Sequence, residues 1–176
     1  ADQRVMLGYQ TRNSGMTLAC GADHVIETEC PHLINSETSE DLGKVVFTID
    51  ALKGKPITIT KYLAYHTSRG APVRELCDRA ERTLDRAVRA GFDGLLKGQR
   101  DYLDDFWRRS DLQVEGDPTI MDRPEGEFQQ AIRWNLLQIL QAVGRAEGAG
   151  VPAKGLTGKA YEGHYFWDTE IYVLPF

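Results

Sequence analysis

Cysteine is scarce in this sequence: Cys20, Cys30 and Cys77 are the only three, and none sits in a CxxC pair. Three thiols cannot all pair within one chain, so a disulfide framework is excluded. Reduced thiols in a cytoplasmic protein are the simpler expectation, with one disulfide plus one free thiol left open. Long apolar runs are missing too, since nothing approaches the roughly 18 residues that a membrane helix needs. The N-terminus, ADQRVMLGYQ, has no basic segment leading into an apolar core and does not read as a signal peptide. Positive charge is also in short supply. The net charge is −5, and Lys and Arg are interleaved with acids, as in DRAERTLDRAVRA from Asp78 to Ala90. That mixture reads as a solvated helix face and argues against nucleic-acid binding. Neither an internal repeat nor a low-complexity tract is found.

What is present is the composition of a soluble globular protein, 41% hydrophobic and 27% charged. A length of 176 residues fits one domain or parts of two. Both ends are abrupt, and a fragment of a longer chain is expected.

The first part, up to about Ser68, reads as β-structure. Val5 to Gln10 and Met16 to Ala19 flank a turn-rich connection, Thr11 to Gly15, typical of a hairpin. Val25 to Glu29 is a further short strand. Val45, Phe47, Ile49 and Ala51 alternate with Val46, Thr48 and Asp50, a period of two that puts the first set on one sheet face. Lys53-Gly54-Lys55 breaks that run before Ile57 to Tyr65 resumes it, which predicts a hairpin around Gly54. Several short strands at this spacing suggest a sandwich or half of one.

After Gly70 the period changes. Val73, Leu76, Cys77, Ala80, Leu84, Ala87 and Val88 fall at helical steps, with Gly91 as the stop and Asp93 as a cap for a successor. The successor carries Leu95, Leu96, Gln99, Leu103, Phe106 and Trp107 on one side. Glu115 to Asp122 reads as a connection. A third helix follows the capping pattern Asp122-Arg123-Pro124-Glu125 and buries a stripe from Phe128 through Ile132, Leu136, Ile139 and Leu140 to Val143. Phe106, Trp107 and Trp134 read as core. Strands followed by segregated helices make the fold α+β.

Three candidate sites present themselves. Lys154 to Ala160 invites comparison with a phosphate-binding loop, but Ala153 and Ala160 stand where a glycine and a hydroxyl residue are required. His164 and Asp168 are four apart, as two metal ligands on one helical turn would be, yet no third ligand is evident and no metal site is claimed. The third candidate is the aromatic and acidic cluster from Tyr161 to Tyr172. Sugars present C–H faces to aromatic rings and hydroxyls to carboxylates, and a Trp beside an Asp offers both surfaces. The competing reading is an aromatic core turn in which Asp168 or Glu170 caps a helix. An acid pair formed by Asp168 and Glu170 is disfavoured, because an inverting pair needs its carboxyls roughly 6.5–9.5 Å apart. Asp168 is better read as a binding residue, with Glu170 as support behind it.

Val151 to Gly158, then Gly163-His164-Tyr165-Phe166-Trp167-Asp168-Thr169-Glu170 and Leu174-Pro175-Phe176, resemble the signature of glycoside hydrolase family 65. That family holds maltose, trehalose and kojibiose phosphorylases and some hydrolases. Lys61 to Ser68, Gly91-Phe92-Asp93 with Trp107, and Arg133 to Leu136 resemble its upstream elements. The resemblance implies a β-super-sandwich, a helical linker and an (α/α)6 barrel. Residues 1–70 would be later sandwich strands, 71–111 the linker and 112–176 the opening of the barrel. It implies Trp167 and Asp168 as substrate-binding residues at the site of bond cleavage, with His164, Phe166 and Glu170 in support. The family's catalytic glutamate and phosphate-binding residues have no counterpart here, so no catalytic residue is assigned and the chain alone is expected to be inactive. The implied reaction joins a disaccharide and inorganic phosphate with inversion, requires no metal or organic cofactor, and allows a homodimer of the complete enzyme. A hydrolase of trehalose or a related α-glucoside, and a non-catalytic carbohydrate-binding or structural module, are the alternatives.

Overall fold

A computed structural model describes residues 3–115, 125–143, 150–155, 161 and 164–173. Its strands are β1 (Val5–Gln10), β2 (Thr17–Thr28), β3 (His32–Thr38), β4 (Gly43–Ile49) and β5 (Ile57–Ser68). Its helices are α1 (Val73–Ser110), α2 (Glu125–Val143) and α3 (Thr169–Tyr172). The chain divides into two compact units, Ala1–Gln99 and Arg100–Phe176. Strands come first and helices after, the α+β order expected.

In the first unit an antiparallel sheet runs in the order β1-β2-β5, and β3 and β4 form a separate hairpin. The connection from Thr11 to Gly15 is the hairpin turn expected, closed by the Thr11 N–H on the Met16 carbonyl at 2.8 Å. Two strands anticipated separately, Met16 to Ala19 and Val25 to Glu29, prove to belong to one 12-residue strand, β2. Its middle, Gly21-Ala22-Asp23-His24, lacks the β-branched residues that announce a strand. Close approach is the reason, because a Cβ on Gly21 would lie 2.8 Å from Met6 and 2.9 Å from Leu84.

The hairpin expected around Gly54 does not form. A turn is present there, with the Lys55 N–H on the Leu52 carbonyl at 3.1 Å and Gly54 at φ 82°. The strands on either side nevertheless choose other partners. β4 pairs with β3 from His32↔Ile49 to Thr38↔Gly43, and β5 pairs with β2 from Thr17↔Ser68 to Thr28↔Ile57. β3 went unrecognised because almost all of its residues are exposed and no apolar alternation marks it. The alternation in β4 holds, with Val45, Phe47 and Ile49 half-buried and Val46 and Thr48 exposed, whereas Ala51 lies outside the strand.

The period of two along β5 separates the sheet's faces. Tyr62 and Ala64 are buried, while Leu63 and Tyr65 are exposed. Against the first face packs the apolar stripe of α1, with Leu76, Ala80 and Leu84 fully buried against Ala19, Tyr62 and Ala64. Each buried leucine contributes about 1.5–3 kcal/mol. Arg4 ties three elements together, donating to Asp23 on β2 at 2.7 and 2.9 Å and to Asp85 on α1 at 2.7 Å. Burial alone would lower the Arg4 pKa, but these bonds outweigh it and the net shift is upward. On the opposite face, the β3–β4 hairpin reaches Val5 beside Gly43 and stacks Phe47 edge-on to His24 at 5.6 Å.

Gly91 interrupts α1 with φ 70° and ψ 172°, the break expected at that residue. Helical geometry resumes directly after it, so Asp93 falls within the next first turn rather than at its cap. In the second unit Phe106 and Leu136 are buried, and Trp107 packs edge-on against Phe106 at 4.9 Å. The stripe of α2 is narrower than anticipated: Ile132, Ile139 and Leu140 are half-buried, while Phe128 and Val143 are exposed. Trp134 is 61% exposed and is not a core residue, because its position faces away from that stripe. Arg133 donates to both oxygens of Asp111, at 2.9 and 2.5 Å, and the Gln129 amide bonds Leu112 and Val114. These contacts fasten residues 111–114 to α2. The anticipated cap, Asp122-Arg123-Pro124, lies outside the described residues.

Candidate functional site

Among the described residues that follow α2, local hydrogen bonds shape the backbone. A turn at Pro152–Gly155 is closed by the Gly155 N–H on the Pro152 carbonyl at 3.0 Å, with Gly155 at φ 65°. Tyr161 has φ 63°, a left-handed conformation that is uncommon for a residue other than glycine. Its carbonyl is held twice by His164, by the backbone N–H at 2.9 Å and by Nδ1 at 2.6 Å. The Tyr161 ring meets Phe166 edge-on at 5.0 Å, and the Lys154 ammonium lies 5.8 Å from its centre. Four named residues therefore brace this loop.

Trp167 and Asp168 are the central pair of the next turn, which the Thr169 N–H closes on the Phe166 carbonyl at 3.1 Å. The turn leads straight into α3, where the Glu170 N–H bonds the Trp167 carbonyl at 3.2 Å and the Ile171 and Tyr172 N–H groups each bond the Asp168 carbonyl at 3.0 Å. Thr169 is buried and anchors the turn, whereas Trp167 is 75% exposed. Asp168 occupies the N-cap position but its side chain makes no capping hydrogen bond. Its carboxylate is thus not consumed by the helix.

Glu170 accepts a hydrogen bond from the Tyr165 hydroxyl. That bond, then modest desolvation and the negative charges of Glu170 and Asp168, raise the Tyr165 pKa above its ordinary value. On a helical turn, positions two apart diverge by about 200°, so Asp168 and Glu170 are directed apart. The Tyr165–Glu170 contact was not legible in the sequence, because a five-residue spacing belongs to no regular periodicity. The left-handed Tyr161 likewise had no signal, since it is not glycine, asparagine or aspartate.

A cavity of about 460 Å³ lies between α2 and residues 151–155, reached by Val173, and neither Trp167 nor Asp168 is among its described lining residues. Among the described residues no group of three or more His, Cys, Asp or Glu could hold a metal ion. The Nδ1 of His164 faces the Tyr161 carbonyl. All three cysteines are unpaired. No described helix is long and apolar enough to cross a membrane. Leu156 to Gly158, Gly163 and Leu174 to Phe176, which carry part of the signature, lie outside the described residues, as do Lys159 and Ala160 of the rejected phosphate loop.

Comparison with known proteins identifies the family. The family model described as "Glycosyl hydrolase family 65, N-terminal domain" matches residues 1–106, and "Glycosyl hydrolase family 65 central catalytic domain" matches residues 133–176. An uncharacterized glycosyl hydrolase of Mycobacterium tuberculosis is 41% identical over 99% of this chain and 21% of its own length. The alpha,alpha-trehalose phosphorylase of Thermoanaerobacter brockii is 36% identical over 95% of this chain and 20% of its own. A solved structure of a candidate kojibiose phosphorylase from the human microbiome superposes with a TM-score of 0.79 at 25% identity, over 99% of this chain and 22% of that one. The chain spans about a fifth of the length of the curated relatives it matches. With strands that follow the family's N-terminal domain and a final segment that follows the start of its central domain, this chain belongs to glycosyl hydrolase family 65.

Proposed function

We propose that this chain supplies one wall of the glucosyl-binding site of an inverting α-glucoside phosphorylase. The observation that carries the reading is the Trp167–Asp168 turn: a ring 75% exposed beside a carboxylate that makes no capping bond, in a chain of family 65. The ring gives the apolar face of a sugar something to pack on, and the carboxylate accepts from two neighbouring hydroxyls. Pairing of this kind discriminates strongly in a buried site, because loss of one partner strands the other. His164 and Phe166 brace the loop before the turn, and Glu170 supports it from α3.

The reaction is cleavage of maltose, trehalose or a related disaccharide by inorganic phosphate, giving β-glucose 1-phosphate and glucose. A general acid protonates the leaving oxygen while phosphate attacks the opposite face of the anomeric carbon, so no general base is needed. The acid and the phosphate-binding residues come from sequence outside these 176 residues, and the reaction uses no metal or organic cofactor. In this reading residues 1–70 belong to the sandwich, 71–111 to the linker and 112–176 to the barrel of a cytoplasmic enzyme. Names of relatives support phosphorolysis: trehalose, kojibiose and maltose phosphorylases are all similar to this chain.

Incubating the full-length protein with each disaccharide, with and without phosphate, tests the reading. Glucose 1-phosphate formed only with phosphate is the expected result. Glucose released equally without phosphate would replace it with hydrolysis, the reading favoured by the name of the 41% identical relative. The isolated chain is expected to release nothing.

A further inference from the structure

We infer that Tyr165 is a positioning residue of this site, holding the Trp167–Asp168 turn in place through its hydrogen bond to Glu170. The inference rests on the proposal that Trp167 and Asp168 meet the sugar. Tyr165 and Glu170 stand on either side of the four residues Phe166 to Thr169, and the bond between their side chains closes a clasp across them. Backbone hydrogen bonds and the buried Thr169 hold the main chain of that turn, and the clasp is the one side-chain hydrogen bond described across it. α3 is four residues long, and one helical turn is unfavourable by itself. Asp168 does not cap it, and Thr169 is the one buried side chain it contains. Tyr165 itself is 49% exposed, so its hydroxyl is not needed to fill a core. The raised Tyr165 pKa, caused first by its hydrogen bond to Glu170, agrees with a phenol held as donor.

The test uses the full-length protein and kcat/KM for its disaccharide, with Tm measured alongside. Tyr165→Phe keeps the ring and removes the donor; about a tenfold loss is expected, as small misplacements of binding groups produce. Glu170→Ala should lose as much, and the double variant no more than either single one, since both remove the same bond. Glu170→Gln retains an acceptor oxygen and should restore most of the activity, which a requirement for charge would not allow. Tm should stay unchanged in all four. Wild-type kcat/KM in Tyr165→Phe, or additive losses in the double variant, would overturn the inference. Asp168→Asn separates its failure from that of the site. If that variant is impaired and Tyr165→Phe is not, the clasp alone is wrong; if Asp168→Asn is unimpaired, the sugar site falls and the clasp with it.

Discussion

The sheet–helix core of the first unit and the end of the second use large side chains in opposite ways. In the first, Leu76 and Leu84 of α1 are completely buried against the sheet, and the small residues Ala19 and Gly21 let the helix come close to it. At the end of the second, Trp167 is 75% exposed, Tyr172 66% and Tyr161 56%. Hydrophobic burial explains the first arrangement and cannot explain the second, whose order comes from turns, a doubly bonded carbonyl and ring contacts. Buried apolar side chains are concentrated in one region, and exposed aromatic and acidic side chains in the other. Changes in the first should therefore cost folding, and changes in the second should cost activity.

The strongest test of that division is Asp168→Asn in the full-length protein. A loss in kcat/KM on the order of a thousandfold, about 4 kcal/mol, is expected with Tm unchanged. A fall in Tm with activity retained per folded molecule would return Asp168 to a structural role. Leu84→Ala should do the reverse. Urea denaturation should show a loss of about 2–5 kcal/mol, with normal kinetics for the molecules that remain folded. Stability within 1 kcal/mol of the parent would mean that the sheet–helix core is not the main source of order, on the scale expected for a fully buried leucine.

Gly91→Ala should cost about 1–2 kcal/mol, because a Cβ at φ 70° meets the carbonyl that follows it. An unchanged or raised Tm would show that the helix straightens without penalty. The smallest effect concerns pH. The hydrogen bond from Arg133 lowers the Asp111 pKa, so this pair stabilises the fold above the ordinary carboxylate range and loses that contribution as pH falls through the lowered value. Asp111→Asn should make the acid side of the unfolding profile slightly flatter. A profile superposable on the parent's would show that the exposed pair contributes nothing measurable.

Much of the first region was legible in the sequence because its signals are local. The helical spacing from Val73 to Val88 marks the buried face of α1, and the alternation from Val45 to Ile49 marks β4. Strand partnership was not legible. Lys53-Gly54-Lys55 reads as a hairpin, and the chain does turn there, but β4 pairs backward with the polar strand β3 while β5 crosses to β2. Pairing depends on which faces meet in space, information that no window of ten residues holds. The middle of β2 shows the same limit, since its small residues serve a helix more than fifty positions away. In the candidate site, the residue types alone suggest sugar chemistry but allow an aromatic core turn equally well. The exposed Trp167, the uncapped Asp168 and the Tyr165–Glu170 clasp required the structure, because each depends on how side chains leave one short turn.

The most direct measurement is a crystal structure of the full-length protein with its disaccharide or with glucose bound. The account expects a glucosyl ring packed on Trp167, with two of its hydroxyls within hydrogen-bonding distance of the Asp168 carboxylate. A sugar bound elsewhere, with Trp167 turned into the protein core and Asp168 capping α3, would contradict it.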